Sequence, residues 1–214
     1  MLLRRRAGEV ILVVRGFHEL DPFVFTPRVF PEGARRIWRP QDLDGLVPPG
    51  RTQQFLCDVG LPKKPIWACH FRLSERAWRV SRRRFDQNAF LPFPVRLCIA
   101  DVIPQWASLE SNSDICRELA MTREGAIFMI DVSDSWRGVW RTPARYVSRS
   151  LETYVAQLAL YIEFMRHPST FVNGEFAPEF VERFKQELCV MDPDALSDES
   201  TTWQDIVEEL ECPF

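Results

Sequence analysis

Val147-Ser-Arg-Ser-Leu-Glu-Thr-Tyr-Val-Ala-Gln-Leu-Ala-Leu-Tyr-Ile-Glu-Phe-Met-Arg-His-Pro168 is where the chain changes its hydrophobic period. Leu151, Tyr154, Val155, Leu158, Ile162 and Met165 fall on one stripe at helical spacing, Ser150 is placed to cap the first turn, and His167-Pro168 stops the run. Two more helices follow this pattern. One starts at Pro178 and runs to about Val190, turning Phe180, Val181, Phe184 and Leu188 inward. The other begins after Thr202, read as a capping-box residue with Asp205, and buries Trp203, Ile206, Val207 and Leu210.

Ahead of Val147 the period is two. Ile66 to Leu73 alternates strictly, and Ala77 to Val80 and Val95 to Ile103 are further strands, separated by the turn Leu91-Pro-Phe-Pro94. Ile115 to Thr122, followed by Arg123-Glu-Gly125 and the apolar run Ala126 to Asp131, reads as a hairpin. Ser133 to Gly138 is a turn, and Val139 to Arg141 opens another strand. Further forward, Arg51-Thr-Gln-Gln-Phe-Leu-Cys-Asp-Val-Gly-Leu-Pro62 is a short helix that Pro48 and Pro49 can start, Gly60 ends in a left-handed conformation and Pro62 prevents from continuing. Glu9 to Arg15 and Asp21 to Phe25 read as extended pieces. Strands in front and helices concentrated in the C-terminal third make an α+β fold. The organisation expected is an N-terminal extension or extra strands over residues 1–30 and a single domain over residues 31–214.

A chain of 214 residues with 46% hydrophobic and 27% charged residues is ordinary for a globular protein, and its 16 prolines favour short, interrupted elements. No apolar run approaches the roughly 20 residues a membrane helix needs. The basic start, Met1 to Arg6, lacks a signal-peptide core of sufficient length, so the protein is expected to stay in the cytoplasm. The six cysteines, at positions 57, 69, 98, 116, 189 and 212, lack the close pairs of a zinc ribbon or finger and are read as free thiols. The net charge of -3 hides a division. Residues 1–100 hold 18 Lys and Arg against 9 Asp and Glu, net +9, whereas residues 101–214 hold 9 against 21, net -12.

Catalytic constellations are hard to find. His18, His70 and His167 are the three histidines, and the imagined pair Cys69 and His70 would point to opposite faces of a strand. Asp192, Asp194, Asp198 and Glu199 resemble a calcium loop only until Ser197 and Trp203 stand where glycine and glutamate are required; they read better as acidic residues flanking a helix N-terminus. There is no phosphate-binding glycine loop and no hydrolase elbow. No catalytic residue, cofactor site or metal site is therefore assigned. Arg72, Arg76, Arg79, Arg82, Arg83 and Arg84, interleaved with Phe71, Trp78 and Phe85, leave a nucleic-acid-binding or regulatory scaffold module as the alternative reading, although a pI of about 5.7 opposes a dedicated nucleic-acid binder.

Four segments in order resemble the SUKH superfamily, and within it the fourth subgroup of bacterial immunity proteins. Phe55-Leu-Cys-Asp-Val-Gly-Leu-Pro62 is similar to the family's helix end, and Gly125-Ala-Ile-Phe-Met-Ile-Asp131 to its central strand. Val147 to Tyr154, continuing to Tyr161, matches its strand-to-helix passage, and Asp192-Pro-Asp-Ala-Leu196 with Trp203 and Glu208 to Leu210 matches its closing helix. Leu119-Ala120 departs from the pattern, standing where relatives often carry an Ile-Gly step. The resemblance spans about residues 37 to 211. It implies one curved, mostly antiparallel sheet flanked by helices, and a protein that binds and neutralises a cognate polymorphic toxin, often a nuclease or nucleic-acid deaminase, by blocking its catalytic domain.

Within that expectation the net negative second half supplies a candidate toxin-binding surface, with Asp134, Asp198, Glu199, Glu208 and Glu209 as its charges. Trp136, an aromatic in a polar turn, is its candidate anchor. The expected partner is a protein, with no membrane involved.

Overall fold

The computed structural model describes residues 3–6, 9–12, 14–16, 18–44, 47, 49–64, 69–71, 95–102, 117–122, 124–131, 145–167, 171–172, 175–197 and 201–211. Its main sheet has five strands, β5 (Cys69–Phe71), β6 (Val95–Val102), β7 (Arg117–Thr122), β8 (Ile127–Asp131) and β9 (Arg145–Ser148), paired in chain order and antiparallel throughout. Register shifts between Val95 and Leu97, between Cys98 and Ala100, and between Ile127 and Phe128 bend the strands and add the twist that curves such a sheet. The hairpin read from the sequence is present. Thr122 N–H donates to Ala126 O at 2.8 Å, and Leu119 and Ala120 pair in register with Met129 and Phe128. Among the described residues three two-stranded ladders accompany the main sheet: β1 (Leu3–Arg6) with β2 (Glu9–Leu12), β3 (Arg35–Arg36) with β4 (Leu61–Pro62), and β10 (Phe171–Val172) with β11 (Glu175–Phe176).

Helix α3 (Leu151–Arg166) is the centre of the molecule. Ser150 Oγ accepts the Thr153 N–H at 3.2 Å, the cap expected from the sequence. All ten residues from Leu151 to Leu160 are buried, polar ones included, so the helix is covered on every side rather than along one stripe. Helices α1 (Pro22–Val29), α2 (Arg51–Asp58) and α4 (Pro178–Met191) and strand β9 pack against it. Two of its buried polar side chains find partners across the core: Glu152 accepts from Thr52 Oγ1 at 3.0 Å, and Gln157 Oε1 accepts from Trp203 Nε1 at 3.0 Å, while Gln157 Nε2 is buried without one. Helix α5 (Thr202–Glu211) lays Trp203, Ile206, Val207 and Leu210 on this core, as the periodicity requires.

Three local readings are corrected. Asp21 to Phe25 is not extended: Asp21 Oδ1 accepts the Phe23 N–H at 2.9 Å and Pro22 occupies the first turn of α1, whose Phe25 is fully buried. Helix α2 starts at Arg51, after Gly50, rather than at the prolines. The cap of α5 is Thr201, whose hydroxyl accepts the Gln204 N–H at 3.1 Å, while Thr202 Oγ1 is buried without a partner. The strand read at Ala77 to Val80, the turn at Ser133 to Gly138 and the strand start at Val139 to Arg141 lie outside the described residues, as does the Arg72 to Arg84 stretch.

The segment ahead of α1 is fastened to α4. Arg15 donates its backbone N–H at 3.0 Å, Nε at 3.1 Å and Nη2 at 2.6 Å to the two carboxylate oxygens of Glu187, and Nη1 at 2.6 Å to Glu163; Arg183 Nε adds a bond to Glu187 at 3.0 Å. Glu187 is 1% exposed and Arg15 11%. Burial alone would push the Glu187 carboxyl up, but the bonds and charge of Arg15 outweigh it and hold the group below its ordinary value. A depressed carboxyl contributes stability above the unfolded-state value, and the contribution disappears as pH falls through the folded-state value. Arg15→Gln is expected to cost about 3 kcal/mol at neutral pH in urea unfolding. Because burial then raises Glu187, the difference from the native chain shrinks as pH drops through the carboxylate range; a constant difference contradicts the pairing.

Gly60 follows α2 at φ +80°, and a Cβ there would meet the backbone oxygen of Arg36 at 2.2 Å. Gly125, in the hairpin, also has positive φ (+99°), but a Cβ there meets nothing within 4 Å. Gly125→Ala should cost only the backbone term, about 1 to 2 kcal/mol. Gly60→Ala should cost that and the displacement of β3 from β4, so equal losses in denaturant titration would contradict the close approach.

Candidate protein-interaction site

The two strongest polar clusters on the described residues are structural. Asp192, fully buried just past α4, accepts with Oδ2 from Tyr146 Oη at 2.9 Å, Ser148 Oγ at 3.3 Å and Arg149 N–H at 2.9 Å, and with Oδ1 from Asp194 N–H at 3.2 Å. Burial and the neighbouring carboxylate push the Tyr146 hydroxyl well up, so it remains a donor. Asp192 thus follows a helix C-terminus and joins sheet to helices; it does not flank a helix N-terminus. The second cluster is the Arg15, Glu163, Arg183 and Glu187 quartet, whose two positive and two negative charges cancel.

Chemistry of a nucleophilic kind has little support from the two described thiols. Cys57 and Cys189 are free, and desolvation first, with nearby carboxylates, pushes both upward and away from the reactive thiolate. His167 caps α3 and packs on Phe180, ring centroids 5.0 Å apart. Among the described residues no group of three or more His, Cys, Asp or Glu is placed to hold a metal ion.

Of the six candidate contact residues, Glu208 and Glu209 are described, both exposed in the last turn of α5. Asp134, Trp136, Asp198 and Glu199 lie outside the described residues. The structure adds two acidic neighbours that the sequence reading did not select, Asp205 and Glu211, on a helix without a basic residue. These two are neutralised: Asp205 pairs with Arg145 of β9, and Glu211 with Lys185 of α4 at 2.9 Å. The bond to Glu211 in turn raises Lys185.

Glu208 and Glu209 are treated differently. Glu208 accepts from Gln204 Nε2 at 3.0 Å, and the charge of Glu209, after burial, helps push the Tyr161 hydroxyl up. Among the described residues neither has a cationic partner. Both stand at the negative end of the helix dipole, where cations are favoured and each carboxylate costs roughly 0.3–1 kcal/mol. Asp205 and Glu209 are also four residues apart, a like-charge spacing that adds to the cost. The signal available in the sequence was the absence of Lys and Arg from Thr202 to Glu211.

Comparison with known proteins adds the family. No curated protein and no solved structure matches the chain. The family model of the SUKH-4 immunity protein matches residues 28–209, more than four fifths of the sequence. That span contains the main sheet, α2 to α4 and most of α5. The chain belongs to the SUKH-4 immunity protein family.

Proposed function

We propose that the chain neutralises a cognate toxin by binding the toxin's catalytic domain in the cytoplasm and covering its active site or substrate groove, without chemistry of its own. The observation that carries the choice of surface is the uncompensated negative end of α5, where Glu208 and Glu209 are exposed in an arrangement that stability does not favour. A residue pair that weakens its own helix is explained by a partner that neutralises it.

The partner's chemistry follows from the charge. An enzyme acting on nucleic acid presents a basic groove to phosphates, so a nuclease or nucleic-acid deaminase is the toxin class that carboxylates at a helix end can block. Asp134, Asp198 and Glu199 extend the proposed contact, with Trp136 as its aromatic anchor. The domain that carries this surface is residues 31–214, with residues 14–30 built into its wall through Arg15, Leu20 and Phe25.

Charge reversal separates binding from folding. Glu208→Lys with Glu209→Lys should slow association with the toxin's catalytic domain by about tenfold at low salt and flatten its salt dependence, leaving dissociation little changed. The same variant should be as stable as the native chain or slightly more so in thermal unfolding, because cations suit this helix end. Association rates that are unchanged across salt concentrations remove α5 from the contact.

A further inference from the structure

Two recesses adjoin where α1, α3 and α4 meet, sharing Glu163 and His167 in their walls. The inner one, backed by the Arg15–Glu187 bonds and by Phe164, Phe180 and Phe184, holds about 40 Å³, enough for a water molecule or two. The outer one, opened by Phe25, Arg28, Val29 and Arg166, holds about 320 Å³, the size of a small-ligand or side-chain pocket.

The charges of these walls do not balance in the same way. In the inner recess two guanidiniums meet two carboxylates. In the outer one Arg28 and Arg166 are exposed, and among the described residues neither takes part in an ion pair. The Arg28 guanidinium carbon lies 5.7 Å from the centroid of the Phe25 ring, inside the reach of about 6 Å for a cation over an aromatic face. Glu163 is already committed to Arg15. The outer recess therefore keeps two unspent positive charges beside an apolar wall, on a chain of net charge -3.

We infer that the outer recess is a docking site for an acidic side chain, Asp or Glu, presented by a protein partner. The carboxylate lies between Arg28 and Arg166, whose planar guanidiniums suit paired hydrogen bonds to it, and its carbon stem lies against Val29. A carboxylate fits better than a phosphate because both arginines stand in the last turns of their helices, α1 and α3. Those turns carry partial negative charge from unpaired carbonyls, which repels a dianion more than a monoanion. The site shares no residue with α5 and does not rest on the toxin-binding reading.

The test is NMR titration of the full ¹⁵N-labelled chain with hexaglutamate peptide, with hexaglutamine and inorganic phosphate at matched ionic strength as the other arms. Hexaglutamate should give saturable shifts of the Arg28 and Arg166 Nε–H signals, and hexaglutamine none. Arg28→Gln with Arg166→Gln should weaken the affinity at least about fivefold, the loss of charge-assisted bonds, while leaving the thermal midpoint in place. Shifts that do not saturate in the native chain, that phosphate reproduces at equal or lower concentration, or that survive the double substitution overturn the site and leave the arginines as helix-end cations only.

Discussion

One buried carboxylate, that of Asp192, determines where the helices sit on the sheet. It collects a hydroxyl from each of two residues of the last strand, the backbone N–H that precedes α3 and the N–H of the turn leading to α5. The Tyr146 and Ser148 hydroxyls, half-buried and buried, would otherwise lack this acceptor, a loss of roughly 1–3 kcal/mol apiece. Strand β9, the start of α3, the end of α4 and the approach to α5 are thereby tied at one point. The exposed edge of α5 depends on that point, since Trp203 and its apolar companions reach the core only if the helix leaves the turn in this direction.

A second tie works about one turn earlier in α4, at Glu187. Arg15 supplies charge and hydrogen bonds to a carboxylate that the core has removed from water, and the sequence that follows it contributes Leu20 and Phe25 to the same buried cluster. The family match begins at residue 28, after these residues. The wall they build borders the recess with Arg28 and Arg166, so a surface of this chain is shaped partly by residues outside the shared pattern. Two residues of the segments that carry the family resemblance, by contrast, are occupied with folding. Gly60 lets α2 turn tightly over the Arg36 carbonyl, and Asp192 serves as the junction just described. Membership therefore identifies the architecture and leaves the contact surface to be read from charge and exposure.

What could be read from the sequence was what local chemistry decides. Ser150 caps α3, Gly125 turns the hairpin and Gly60 ends α2, because each requirement is met within a few residues. The stripe Trp203, Ile206, Val207 and Leu210 faces inward and leaves Glu208 and Glu209 outside, again a matter of spacing alone. Asp21 to Phe25 was misread because four apolar residues fit a strand as well as a helical turn, and the deciding feature is the cap at Asp21. Thr201 and Thr202 are adjacent and chemically alike, so the capping residue depends on which one the chain direction favours. The long-range ties of Asp192 and Glu187 were illegible for a different reason: those partners lie 43 to 46 and 172 residues away, and no periodicity reports such a pairing.

The central claim is that the chain acts by covering another protein with a surface that includes the end of α5. Hydrogen–deuterium exchange of the chain, alone and mixed with the catalytic domain of its cognate toxin, examines that claim directly. The account predicts a stable complex in which the last turn of α5 gains protection while the buried α3 exchanges as before. A mixture that shows no complex, or a complex that leaves α5 unprotected, contradicts it.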